Sequence, residues 1–478
     1  MRLSPGRTWT AITGGVLATG IIASAHDRGL TFSDFTPLAA SAGATADESQ
    51  PITLGNPAFE QRSIADRASQ LAAGIPNSGN WDMNTLNETG RRRGRFLFTV
   101  FETGQAGIQR HDLRNGTTDT LWMTPFASPD VRGNVSFDAS YWTPWGTFIT
   151  AEESWGANSP YGRLFELRNP LDAPAIFGAP TTGGNGGADL VHRNVVPRTS
   201  HEGIQFDGRG HMYFVDELNG GAIYRYTPAA SMGRVMSGKA EYFSAGQTAV
   251  LRVGDGATPN ATGAYEWIPL TDRFGHALPG AVVVTDPNGV TSVDARATAD
   301  AAVFKGTDYQ RPEDLQIQRV RGRDHLYVTT TTTHEIYRLD LDRQVITVFA
   351  DRNTIDLATG APVGSALANP DNLAVDHDGN IYIVEDRNGA VDDDIWFAYD
   401  RNKDGDLTDP GEGIGRWASN GTPGSEFTGL YFDPDSPHRA WVNIQHPASG
   451  VDRTIEIAIP HGRRGHDDGD RDDRDDRR

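Results

Sequence analysis

Short apolar runs of β-type residues recur along the chain, each ending in acidic or polar residues and followed by a turn. Six copies begin near Phe96 (FLFTVFE), Thr147 (TFITAEE), His211 (HMYFVDE), His325 (HLYVTTT), Asn380 (NIYIVED) and Ala440 (AWVNIQH). Partner runs follow most of them, AIYRY at 222–226, EIYRLDL at 335–341 and DIWFAYD at 394–400, with the period-two alternation of antiparallel strands. Upstream of several copies an acidic residue leads a second apolar run: HEGIQFDGRG (201–210), RPEDLQIQRVRG (311–322) and NPDNLAVDHDG (369–379). Antiparallel pairing sets the start of one strand beside the end of the next. Glu202 is therefore expected to meet Asp216 and Glu217, and Asp371 to meet Glu385 and Asp386.

The copies recur at roughly 50 to 65 residues, with one gap about twice as long, the spacing of propeller blades. This predicts an all-β fold, a six-bladed β-propeller with an insertion around residues 229–300. Radial repetition brings the acidic edges together at one mouth of a central channel. The expected organisation is a signal peptide at 1–25, an N-terminal extension packing on the propeller at 26–89, the propeller itself at 90–460 and a charged tail at 461–478.

Composition sharpens this picture. The chain of 478 residues holds 54 Gly, 27 Pro and only 37% hydrophobic residues, too turn-rich for a helical protein. Its formal charge of −20 repels phosphate backbones, so no nucleic-acid binding is expected. Cysteine is absent, which removes disulfides, thiolate catalysis and Cys-ligated metal. The opening MRLSPGRTWTAITGGVLATGIIASA joins a basic start to a short apolar run and an Ala-Ser-Ala site, the form of a secretory signal. Export of a bacterial protein to the periplasm or medium follows, with no transmembrane segment in the mature chain and a monomer expected. The tail from His461 is low-complexity with interleaved charges and has nothing apolar to bury.

The expected mouth contains Glu102, Asp138, Glu152, Glu153, His201, Glu202, Asp216, Glu217, Glu313, Asp314, Asp371, Asn372, Glu385, Asp386, Glu426 and His446. So many carboxylates cannot all ionise at close range without cations or protons to compensate them. Hard oxygen ligands with few imidazoles suit calcium, magnesium, manganese or ferric iron over zinc or copper. A separate signal, DRNKDGDLTDPGE, places Asp400, Asn402, Asp404 and Asp406 at alternate positions around Gly405, like the first half of an EF-hand loop. Its twelfth position is Gly411 and the acid nearest to it, Glu412, is one place late, so a loop-type structural calcium site is expected there. Arg311 is the one basic residue embedded beside the acids. Its fork suits either a phosphoryl or carboxylate group of a substrate, or an ion pair with Glu313 or Asp314. There is no Gly-x-Ser-x-Gly elbow, P-loop or His-Glu-x-x-His, leaving water activated by metal as the route to hydrolysis.

In order, Thr143-Pro-Trp-Gly-Thr147 with Glu152-Glu153, His201-Glu202-Gly203, Asp216-Glu217, Arg311-Pro312-Glu313 and Val442-Asn-Ile-Gln-His-Pro447 resemble the PhoX-type alkaline phosphatases over about residues 90 to 450. The resemblance implies a secreted six-bladed propeller with calcium and iron at the channel mouth, hydrolysing small phosphate monoesters through a metal-bound oxygen. Carried over by motif, it implies Glu153, Glu202 and Glu313 as metal ligands and Arg311 and Glu313 as catalytic residues, Arg311 holding phosphate. Asp138 stands where that family has an iron-ligating cysteine, which alters charge and geometry there. A calcium-dependent propeller lactonase or esterase, and a non-catalytic calcium-stabilised binding module, are the alternatives. A lactone is neutral and gains little from Arg311.

Overall fold

All six apolar runs are strands in the computed structural model, which describes residues 29–90, 92–124, 135–176, 187–387 and 393–460. They are Phe96–Phe101, Phe148–Glu152, Met212–Val215, Arg323–Thr330, Ile381–Glu385 and Arg439–Gln445. Each pairs antiparallel with the strand before it in sequence: Trp81–Leu86, Phe137–Trp142, Ile204–Phe206, Pro312–Val320, Pro370–Val375 and Glu426–Phe432. The expected signal peptide and charged tail lie outside the described residues.

These pairs extend outward into sheets of five, four, nine, four and four strands, and two two-stranded ribbons complete the set. The nine-stranded sheet is two four-stranded meanders joined at their outer edges by Gly263–Pro269, which pairs with both Gly246–Val253 and Val345–Ala350. The first strands of the six hairpins lie side by side in a closed circuit around a common axis. Such radial packing of twisted antiparallel sheets, hydrophobic between faces and polar along the axis, is a propeller-like all-β arrangement. Clusters such as Phe98, Trp142 and Phe148, or Tyr382, Trp417 and Phe432, fill the spaces between sheets. Phe98 stacks on Phe148 with centroids 5.0 Å apart.

Both chain ends build the last sheet. Glu60–Asp66 pairs with Arg453–Ala458, so the N-terminal region supplies the outer strand of a sheet whose other three strands come from the C-terminus. Phe32 lies edge-on to Trp417 and Phe432, and its carbonyl accepts from the Trp417 indole at 3.0 Å. Residues 29–89 therefore do more than pack on the sheets. Trp81–Leu86 is the innermost strand of the first sheet, and the expected boundary at residue 90 falls inside its hairpin.

The long gap in the repeat is also resolved. Gly246–Val253 pairs with Ile223–Pro228 and is an ordinary outer strand. Added material lies before it, as the short helix Met232–Met236, and after it, as Gly263–Pro269, the hairpin Val283–Thr285 with Thr291–Val293, and the short helix Ala295–Ala299. Among the described residues, no helix is long and apolar enough to cross a membrane.

Candidate functional site

One acidic residue stands at or just before the start of every innermost strand: Asp82, Asp138, Glu202, Glu313, Asp371 and Glu426. In four hairpins this residue falls inside a register shift, at Trp81/Asn84, Phe137/Ser140, Pro312/Leu315 and Pro370/Leu373. A bulge sets two residues against one and re-aims the extra side chain. Gly203 permits the close approach beside Glu202, since a Cβ there would lie 2.1 Å from an Asp314 carboxylate oxygen. Just past the ends of the second strands come Glu102, Glu153, Glu217, Thr331, Asp386 and His446, completing the mouth.

Among the described residues three sets of carboxylates converge here, each with one oxygen per residue within 4.8 Å of the others. They are Asp82, Glu102 and Asp138; Glu153, Glu202 and Glu217; and Glu202, Glu313 and Asp371. Glu202 is common to two sets, so two cations bound there would share it. Burial pushes Asp82 up to about 8, reinforced by the charge of Glu153. Burial likewise raises Glu313 to about 8, against the opposing pull of Arg311. Glu202 rises well above the usual range through burial and the charges of Asp138, Glu217, Glu313 and Asp371. Buried oxygens of Asp82, Asp138 and Asp371 have no hydrogen-bond partner. Orphaned carboxylate oxygens in mutually repelling sets are the donor chemistry that hard cations satisfy, so the residues fit such ions.

Around the sets, neutral groups orient the ligands. Gln445 Nε2 donates to Asp82 and Glu102, both at 3.1 Å, and the Thr331 hydroxyl donates to Glu313. His446 Nε2 lies 2.7 Å from Glu426 while its Nδ1 meets the Gly424 carbonyl at 3.1 Å. Glu426 is raised by burial, by its hydrogen bond to Asp386 and by that residue's charge. Glu426, Asp386 and His446 therefore form a separate group beside the three sets.

Several expected mouth residues turn elsewhere, and strand alternation explains it: neighbours along a strand face opposite sides. Glu152, next to Glu153, is fully buried and bound to Arg163 at 2.7 Å, and it accepts from the backbone N–H groups of Val135, Gly162 and Arg163. Asp216, next to Glu217, accepts from Ser200 N at 3.0 Å, and burial raises it to about 7. Glu385, next to Asp386, is tied to Arg387 and the Trp396 indole. Asp314 and Asn372 accept from the backbone of the adjacent innermost strand, at Leu373 and Gly429. His201 is buried against Phe214 with both ring nitrogens unpartnered, and burial holds it down at about 3. It joins none of the three sets.

The loop Asp400, Asn402, Asp404 and Asp406 is closed by its own backbone. Asp400 accepts from Asp404 N and Gly405 N, Asp406 from Thr408, and Glu412 from Arg401 N and Asn402 N. Among the described residues none of its acids belongs to a convergent set.

Arg311 does reach the mouth. Its Nε and Nη2 donate to Glu217, and Nε lies 3.2 Å from Glu313. Its backbone is left-handed, φ 53°, a conformation that costs about 1 kcal/mol or more and persists where the surroundings enforce it. Enforcement comes from the ribbon Tyr309–Gln310 with Asn219–Gly221 and from the Arg311 N–H donating to Leu218 O. The Trp155 ring covers the guanidinium at 5.1 Å.

Sequence reasoning missed Asp82, Gln445, Thr331 and Trp155 in this site. Asp82 had a usable signal, an acid opening the apolar run WDMNTL, the same phrase that marks Glu313 and Asp371. Thr331 and Gln445 had one too, since Thr331 ends the repeat HLYVTTT as Glu217 ends HMYFVDE, and Gln445 lies in the last repeat, AWVNIQH; Trp155 carries none.

Comparison with solved structures returns proteins of low identity. A virginiamycin B lyase of Staphylococcus aureus with quinupristin is 13% identical over 84% of this chain and 100% of that one, TM-score 0.39. A putative phosphatase from Bacteroides thetaiotaomicron is 14% identical over 80% and 72%, TM-score 0.42. The β-propeller domain of Myceliophteria thermophila Cps50 is 11% identical over 79% and 97%, TM-score 0.34. No curated protein matches. The family model described as alkaline phosphatase PhoX matches residues 188–448, more than half of the chain and most of the mouth, and the chain belongs to that family.

Proposed function

We propose that this protein is a metal-dependent phosphatase that hydrolyses small phosphate monoesters at the channel mouth. The observation that carries the reading is the contact of the Arg311 guanidinium with Glu217 and Glu313, members of the two carboxylate sets that share Glu202. A cation-loaded mouth with one guanidinium suits a dianionic phosphoryl group. A neutral lactone would leave Arg311 unused.

Calcium is the proposed principal ion, with iron as a second candidate, held by Glu153, Glu202, Glu217, Glu313 and Asp371 and, in the other set, by Asp82, Glu102 and Asp138. Asp138 replaces a softer thiolate with a hard oxygen ligand, which moves that set towards calcium. When bound, the ions supply Lewis acidity and a water of lowered pKa. Arg311 orients the phosphoryl group. With Nε and Nη2 engaged by the two glutamates, Nη1 has no hydrogen-bond partner among the described residues. It is placed to donate to a phosphoryl oxygen and to stabilise charge gathering there. Thr331 holds Glu313 in position, and the burial of Glu202 and Glu313 keeps bulk water from screening these charges.

The proposed architecture is six blades, counting the nine-stranded sheet as two, with residues 60–86 built into them. Export through the N-terminal signal to the periplasm or medium, action as a monomer and a structural calcium at the 400–412 loop complete the proposal. The test is hydrolysis of p-nitrophenyl phosphate with added calcium, with and without iron. Turnover that disappears in R311A supports the reading, and turnover that survives in R311A contradicts it.

A further inference from the structure

Trp155 is 48% exposed at the edge of a mouth otherwise lined by charge. One face of its indole lies over the Arg311 guanidinium, 5.1 Å from ring centroid to carbon, and its N–H donates to Glu153. The ring is thus anchored at its polar edge and on one face. The remaining exposed surface belongs to a large apolar plane set directly beside the group proposed to hold phosphate.

The loop that carries it is pinned from the far side by the added segment. Arg296 Nη1 donates to the Ser154 carbonyl at 2.6 Å, and Nη2 donates to the carbonyls of Ser159 and Tyr161 at 2.9 and 3.1 Å. Arg296 is itself fixed by Asp294 at 2.9 Å, both side chains being fully buried. Asp294 also accepts from Asn158 N, and Ser154 N donates to the Ser200 hydroxyl at 3.1 Å. A side chain presented from so constrained a backbone loses little freedom when a ligand stacks on it.

We infer that Trp155 is a specificity-determining platform that favours phosphate esters whose leaving group carries a planar aromatic ring, the added segment holding it in place through Arg296. This rests on the phosphatase reading above and narrows its substrate class. Stacking of a planar ring on an aromatic side chain is sequence-tolerant and strong enough to change binding by about tenfold or more. An aliphatic ester such as glycerol phosphate gains nothing from it. Two sources of the ring, an aryl group attached directly at the ester oxygen and a nucleobase set one sugar away, share this chemistry.

The experiment measures kcat/KM for phenyl phosphate, adenosine 5′-monophosphate and glycerol phosphate with calcium-loaded wild type, W155A and W155F. It also measures Kd by calorimetry for phenylphosphonate and methylphosphonate, which are not turned over. The expected result is a preference for the aromatic ligand that falls about tenfold in W155A, in both kcat/KM and Kd ratios, and is kept in W155F. Loss of activity through a disturbed Arg311 would lower all substrates together and leave the ratios alone. Whichever aromatic ester shows the larger fall identifies where the ring sits relative to phosphorus. Unchanged ratios in W155A, with hydrolysis intact, overturn the inference while sparing the phosphatase reading. Absence of hydrolysis for every ester in the wild type contradicts that reading. The Kd ratios then decide the platform on their own.

Discussion

Arg311 and Glu313, two positions apart in the chain, meet at 3.2 Å at the channel mouth, where Glu313 also joins a carboxylate set with Glu202 and Asp371. The guanidinium balances part of the acidic charge and marks where an anionic group can enter. R311A should lower kcat/KM for phosphate monoesters by about a hundredfold or more, the usual loss for a donor aimed at developing charge, with circular dichroism unchanged. R311K should recover only part, because a point charge cannot reproduce the fork.

Removing cations should destabilise the fold in a pH-dependent way. In the metal-free state Asp82 and Glu313 ionise only near about 8, whereas their ordinary values are 3.8 and 4.5. Folding therefore takes up protons, and the associated stability is complete below about 4 and is lost as pH rises to about 8. A chelated sample should melt at lower temperature at pH 8 than at pH 5.5. Saturating calcium should remove or reverse that trend, as followed by calorimetry.

The shared position of Glu202 sets a stoichiometric expectation. E202Q should reduce bound cation at two sets, and D82N at one, as read by elemental analysis after dialysis. Equal losses from the two variants would argue against Glu202 lying between two ions.

Much of this was legible in the chain, and the reasons for the exceptions are physical. Each of the six apolar runs is a strand, because β-type residues bounded by turns have few other options. The side of the strand on which each acid falls was harder to read. In the pairs Glu152-Glu153, Asp216-Glu217 and Glu385-Asp386 only the second member faces the mouth, since alternation sends the first between sheets to buried partners. Asp82 escaped notice because it precedes the first obvious repeat, in a short strand buried on both sides. Trp155 reaches Arg311, and Arg296 reaches the Trp155 loop, through contacts across more than a hundred residues, and local sequence carries no trace of that.

Glu152 offers the converse of the mouth. Its partner Arg163 is almost wholly buried and also reaches Asp286 at 3.3 Å. R163A should cost about 3–5 kcal/mol by leaving a carboxylate buried without its counter-charge. The loss should appear equally in chelated and calcium-loaded protein, in contrast to changes at Glu202.

The most direct test of the account joins metal content to turnover on one sample. Purified wild type should hold calcium, alone or with iron, and hydrolyse p-nitrophenyl phosphate, and E202Q should lose bound metal and turnover together while remaining folded. Full turnover by metal-free wild type, or by E202Q stripped of metal, would contradict it.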